Sequence, residues 1–182
     1  YKRLCGMPNN DVAQVHRYLD LGAPLEVCHG PVDVLAADAV RELLRCKPAR
    51  PVILAEGGAV EPRHTGPFKL YAKDKAGIIL HDILFAPFFA GAAGAGQCWH
   101  WSEYVDKNNL WHQFRAFADT VRGIDPAAEH FEPRMISHPR LRVYLLKGAR
   151  TSLVWCRDSE NTWRTELQEG RAPEVLKDVV VP

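Results

Sequence analysis

The segment Pro51-Val52-Ile53-Leu54-Ala55, stopped by Glu56-Gly57-Gly58, constrains this chain more than any other. A continuous apolar run of strand length is stable only when both of its faces are covered, as in a parallel sheet flanked by crossover helices. The neighbouring segments agree. Residues 12–18 form a short mixed run between turn-forming stretches and read as an earlier strand. Residues 31–46 carry Val34, Leu35, Ala39, Leu43 and Leu44 near the helical period, with Pro31 in the first turn and Lys47-Pro48 as the stop. A second helix spans 74–89 with Asp74 as its cap, a third strand 91–101, and a third helix 109–122, closed by Gly123. His81-Asp82 lies inside the second helix and is assigned to packing. The order strand, helix, strand, helix, strand, helix is a βα repeat, hence an α/β fold with a parallel sheet.

Beyond residue 126 the texture changes. Pro133 and Pro139 bracket an expected linker over 127–139. Short runs at 141–146, 152–156, 162–167 and 179–181 alternate with turn residues, which predicts a partial antiparallel β-sandwich over 140–182. The terminal apolar run and the absence of an initial Met lead to the expectation that the chain is a piece of a longer one.

Composition removes several classes. Lys and Arg number 23 against 22 Asp and Glu, a net charge of +1, so the basic excess of a nucleic-acid binder is missing. A hydrophobic share of 47% excludes wholesale disorder. The longest apolar stretch, 83–98, is broken by Pro87 and three glycines and is too short to cross a bilayer as a helix. Five scattered cysteines, Cys5, Cys28, Cys46, Cys98 and Cys156, form no CxxC pair and suggest neither a disulfide framework nor a zinc site. Residues 1–10 lack the long apolar stretch of a secretory leader; localisation stays open, with a secreted or periplasmic parent compatible.

Chemistry concentrates at the carboxyl ends of the strands, where parallel sheets place their sites. Glu56 ends the apolar run. His16 and Tyr18 share one side of the earlier strand by alternation, and a Tyr hydroxyl can hold a neighbouring carboxylate ionised. Trp99 and Trp101 flank His100 at the end of the third strand and offer broad flat apolar faces. His64, in the long loop 57–71, and His100 are further candidates for ligand contact. No helix carries a metal-binding pair of histidines, no nucleotide or nucleophile-elbow motif is present, and no metal or organic cofactor is implied.

Taken in order, His16-x-Tyr18, Pro51 through Gly58, and the glycine-rich lead into Trp99 and Trp101 resemble strands six to eight of a clan A glycoside hydrolase of the cellulase-like family 5 type. The resemblance runs over about residues 12–125. It implies that residues 1–126 are the C-terminal βα units of a (β/α)8 barrel, followed by the start of a β-sandwich. It also implies a retaining hydrolase acting on O-glycosyl bonds of β-linked saccharides. Glu56 would be the nucleophile, oriented by Tyr18, with His16, His64, Trp99, His100 and Trp101 against the sugar. The family's acid/base glutamate follows an Asn at the end of the fourth strand, and no Asn-Glu pair occurs here. The resemblance therefore also implies a missing half barrel, or another chain, covering the exposed sheet. Two rival readings follow from the residues: a carbohydrate-binding protein or inactive homologue keeping the aromatic platform, and a non-catalytic β-sandwich adaptor.

Overall fold

A parallel pair of strands and an antiparallel meander, joined through a helical layer, organise the chain. The computed structural model describes residues 2–46 and 49–181; the predicted helix stop at Lys47-Pro48 lies outside them. A single helical turn, α1 (Lys2–Cys5), precedes β1 (Ala13–Leu19). Then come α2 (Val32–Arg45), β2 (Val52–Ala59), α3 (Ile78–Phe89), α4 (Trp111–Thr120) and the short α5 (Pro126–Glu129). The antiparallel strands are β3 (Glu132–Ile136), β4 (Leu141–Lys147) and β5 (Ser152–Asp158). The fold is mixed α/β. No helix among the described residues is long and apolar enough to cross a membrane.

β1 and β2 pair in parallel. On β1, Ala13 and Val15 are buried and Arg17 reaches Asp38 and Glu42 of α2. The intervening Gln14 and His16 are exposed. One face of the sheet therefore carries the helices and the other carries His16 and Tyr18. The predicted third strand is present only as an irregular extension of the ladder. Ala93 N–H donates to Val52 O, Gln97 N–H to Leu54 O and Trp99 N–H to Gly57 O, with one parallel bridge between Gly57 and Cys98. The helix expected from residue 74 begins at Ile78, and the Asp74 carboxylate, in the turn before it, accepts from the N–H groups of Ile78 (2.8 Å) and Ile79 (3.0 Å).

The second sheet has the order β3-β4-β5, and two expectations about it need correction. The linker expected over 127–139 contains β3, an edge strand; Pro133 is tolerated there because an edge strand need not donate on its outer side. Residues 162–167 are not a strand: Trp163 and Leu167, four apart, turn their side chains inward together from a helical turn (Arg164–Gln168). Residues 179–181 also lie outside any strand. Three strands remain, and they pack on helices instead of on a second sheet. The cross-strand pairs Arg142–Arg157 and Tyr144–Trp155 belong to one face. Arg142 grips the fully buried Asp33 of α2 through Nε (2.6 Å) and Nη2 (2.9 Å), and the Tyr144 hydroxyl donates to the same carboxylate. Arg157 Nε lies 2.8 Å from Asp82 of α3, and Trp155 Nε1 donates to His81 Nε2. His81-Asp82 thus serves packing, as expected, by docking the sheet. Tyr144, Leu146 and Trp155 join the same apolar core as α2 and α3.

Candidate active site

Glu56 owes its direction to an irregularity in β2. Val15 pairs with Leu54 but His16 pairs with Glu56, so Ala55 is an extra residue in the ladder. Strict alternation from Val52 and Leu54, both buried on the helix side, would send Glu56 towards the helices as well. The extra residue reverses it, as bulges beside functional sites do. Glu56 then faces His16 and Tyr18, while a Cβ on Gly57 would point at Ile83 of α3. Glu56 is not the last strand residue, as the sequence suggested: β2 continues to Ala59 because two glycines let the backbone follow the ladder past it. Gly58 has φ +124°, and a Cβ there would lie 2.7 Å from the Tyr71 hydroxyl. That position excludes any side chain.

The Tyr18 O–H donates to Glu56 Oε2 at 2.6 Å, and His16 Nδ1 lies 3.3 Å from the same oxygen. Burial, then the bond to Glu56 and its negative charge, push the Tyr18 phenol well above its ordinary value. Tyr18 therefore stays a proton donor to the carboxylate throughout the neutral range. The Glu56 side chain keeps 28% of its exposure, so a ligand can reach it.

These groups line a cavity of about 600 Å³ together with Asp20, His64, Trp99 and His100. The structure thus brings together six of the seven site residues predicted from sequence. Trp101 is the exception. Trp99 is still in the ladder, but the chain then turns, with Trp101 N–H donating to Trp99 O, and Trp101 opens a short helical turn outside the cavity lining. Alternation ends where the ladder ends, so the two tryptophans do not share a face.

Asp20 was not singled out in the sequence. It continues the alternation His16, Tyr18, Asp20 by one step, which is the signal that identifies it. Its carboxylate, 4% exposed, accepts from the N–H groups of Gly22 (2.8 Å) and Arg63 (3.0 Å) and contacts His64 Nδ1 at 3.1 Å. Burial raises the carboxyl, but those three donors outweigh it and hold Asp20 below its ordinary value. His64 also packs edge-on against Tyr18, ring centroids 4.9 Å apart. Among the described residues no cluster of three or more His, Cys, Asp or Glu side chains is placed to hold a metal ion.

Comparison with family models, with curated proteins and with solved structures gives no match to this chain. The functional reading rests on the residues and their geometry.

Proposed function

We propose that this cleft is the nucleophile side of a retaining glycoside hydrolase acting on β-linked saccharides. The observation that carries the reading is the Tyr18–Glu56–His16 contact at the carboxyl end of parallel strands. A carboxylate hydrogen-bonded and aimed by a phenol, beside an aromatic wall at Trp99, suits attack on an anomeric carbon. The arrangement around it supports a section of a (β/α)8 barrel. β1, β2 and the 93–99 extension are adjacent in chain order, and α2 packs against both strands and against α3.

In the first step the Glu56 carboxylate would bond to the anomeric carbon as the glycosidic C–O bond breaks, and a carboxylic acid would protonate the departing oxygen. Of the described residues lining the cavity, the only carboxylates are Glu56 and Asp20. Asp20 is held ionised by three donors and is unsuited to give up a proton. On this reading the acid would have to come from a group that is not among these lining residues. The same shortage favours a second reading, a carbohydrate-binding site without turnover.

The test avoids the need for an acid. Dinitrophenyl glycosides of β-glucose, β-mannose, β-galactose and β-xylose, with fluorine replacing the hydroxyl beside the anomeric carbon, lose dinitrophenolate unassisted and leave a long-lived glycosyl ester. Intact-mass and peptide mapping should find one fluoroglycosyl group on Glu56, and none in Glu56→Gln. Absence of label with every sugar, or label elsewhere, would exclude Glu56 as nucleophile. Sugar binding without label would establish the second reading.

A further inference from the structure

Two imidazoles border this cavity with opposite hydrogen-bonding character. The Asp20 carboxylate only accepts, so His64 Nδ1 must carry the proton in their 3.1 Å contact. His64 Nε2 is then an acceptor in the neutral ring, on a side chain 57% exposed. His100 is the reverse case. The residue is 9% exposed, and its Nδ1 is sealed from solvent with no hydrogen-bond partner. A proton on Nδ1 would be an unsatisfied buried donor, which costs more than moving it to Nε2, the nitrogen left for the cavity. Burial pushes His100 towards the neutral ring against a smaller pull from Glu103, and the nearby His64 adds the least of the three.

The loop that delivers His64 is built at a cost. Arg63 and His64 both have positive φ, 63° and 59°, which non-glycine residues adopt in succession only when the surroundings force it. Here the forcing contacts are Asp20 on the Arg63 N–H and on His64, and the seat formed by Gly22, where a Cβ would meet Arg63 N at 2.8 Å. The strain secures one outcome, an imidazole fixed beside Tyr18 at the rim of the cavity.

We infer that His64 and His100 are a matched acceptor and donor for a hydroxyl group of the bound sugar, and that Asp20 is the residue that positions His64. A hydroxyl, the polar group a sugar presents most, can donate to one nitrogen and accept from the other at once. The inference rests on the carbohydrate reading of the cleft but is independent of Glu56 acting as nucleophile.

The experiment is nitrogen NMR of the histidine rings in this chain, alone and with the methyl β-glycosides of glucose, mannose, galactose and xylose. In alkaline solution, where imidazoles are neutral, His64 should show the Nδ1–H tautomer and His100 the Nε2–H tautomer. One glycoside should shift both Nε2 signals together, and its deoxy analogue lacking the bridging hydroxyl should shift neither. Asp20→Asn should move the tautomer of His64 alone. His64→Gln, at an exposed position, should keep the fold and weaken that glycoside by about 3- to 10-fold, the loss of one hydrogen bond. Reversed tautomers, a response at only one ring, or no response to any glycoside would overturn the inference. Labelled Glu56 with silent imidazoles removes only this pair; responsive imidazoles with unlabelled Glu56 remove only the nucleophile.

Discussion

Tyr18 and Glu56 are held 2.6 Å apart by neighbouring parallel strands, although the residue paired with Glu56 in the ladder is His16. The phenol reaches back along the sheet to the carboxylate, and the extra residue at Ala55 turns Glu56 to meet it. This relationship gives the first prediction. A hydrogen bond to a charged group contributes about 1.5–3 kcal/mol, so Tyr18→Phe should slow fluoroglycosyl labelling of Glu56 by about 10- to 100-fold. The ring remains to fill its place against His64, and the melting temperature should hardly move. An unchanged labelling rate would mean that Tyr18 does not orient Glu56.

The second prediction concerns the joint between the two layers. Asp33 is fully buried and accepts from both Arg142 and Tyr144. Breaking one side of a buried pair leaves an uncompensated charge, so Asp33→Asn should destabilise the fold by about 3–5 kcal/mol. Tyr144→Phe, which removes one donor to the charged carboxylate, should cost about 1.5–3 kcal/mol. The double variant Asp33→Leu, Arg142→Met should recover most of the first loss, because apolar replacement of a buried pair is often neutral. Urea unfolding of the three variants measures the order.

Acid should weaken this fold through Asp20 and Asp158. Burial pushes each carboxyl up, but donors reverse it: Gly22, Arg63 and His64 for Asp20, the Arg140 guanidinium and the Glu160 N–H for Asp158. Both carboxyls end below their ordinary 3.8. The unfolded chain then takes up protons first as the pH falls. The stability they supply is complete above about pH 4 and is lost as the pH drops through the lower folded values. Unfolding midpoints followed from neutrality into acid should fall in that range, and the fall should be shallower in Asp20→Asn and in Asp158→Asn.

How much of this was legible in the sequence depends on the range of the interaction that decides each feature. The helix α2 follows from local period and Pro31 and lies where expected, whereas α3 ends where expected but begins at Ile78 instead of residue 74. His16 and Tyr18 share a face because alternation on an unbroken strand is a local property. The extra residue at Ala55 exists only in the pairing of β2 with β1, so nothing within 51–58 announces it. Residues 162–167 carry alternation and a four-residue spacing at once, and the burial of Trp163 against Phe68, some ninety residues away, decides for the helical turn. The single-layer meander likewise depends on Asp33 and Asp82 waiting on the helices for Arg142 and Arg157.

The last prediction separates Trp99 from Trp101. Both are exposed, 56% and 60%, so neither belongs to the core, and both invite a reading as a sugar platform. By position in the sequence alone, Trp101, the residue nearer the strand end, would be the better platform. The backbone reverses that preference. Trp99 N–H bonds to Gly57 O, one residue beyond Glu56 in β2, which fixes its indole at the cavity wall; Trp101 follows a turn and sits outside the lining. A stacking indole offers about 150–250 Å² of surface. Trp99→Ala should therefore weaken glycoside binding and slow Glu56 labelling at subsaturating probe, while Trp101→Ala leaves both unchanged. Neither variant should approach the roughly 3–5 kcal/mol that truncating a buried Trp costs. Binding and urea unfolding, measured on both variants, decide the matter: loss of affinity in Trp101→Ala alone would move the platform outside this cavity, and early unfolding of Trp99→Ala with normal binding would make its indole a packing element.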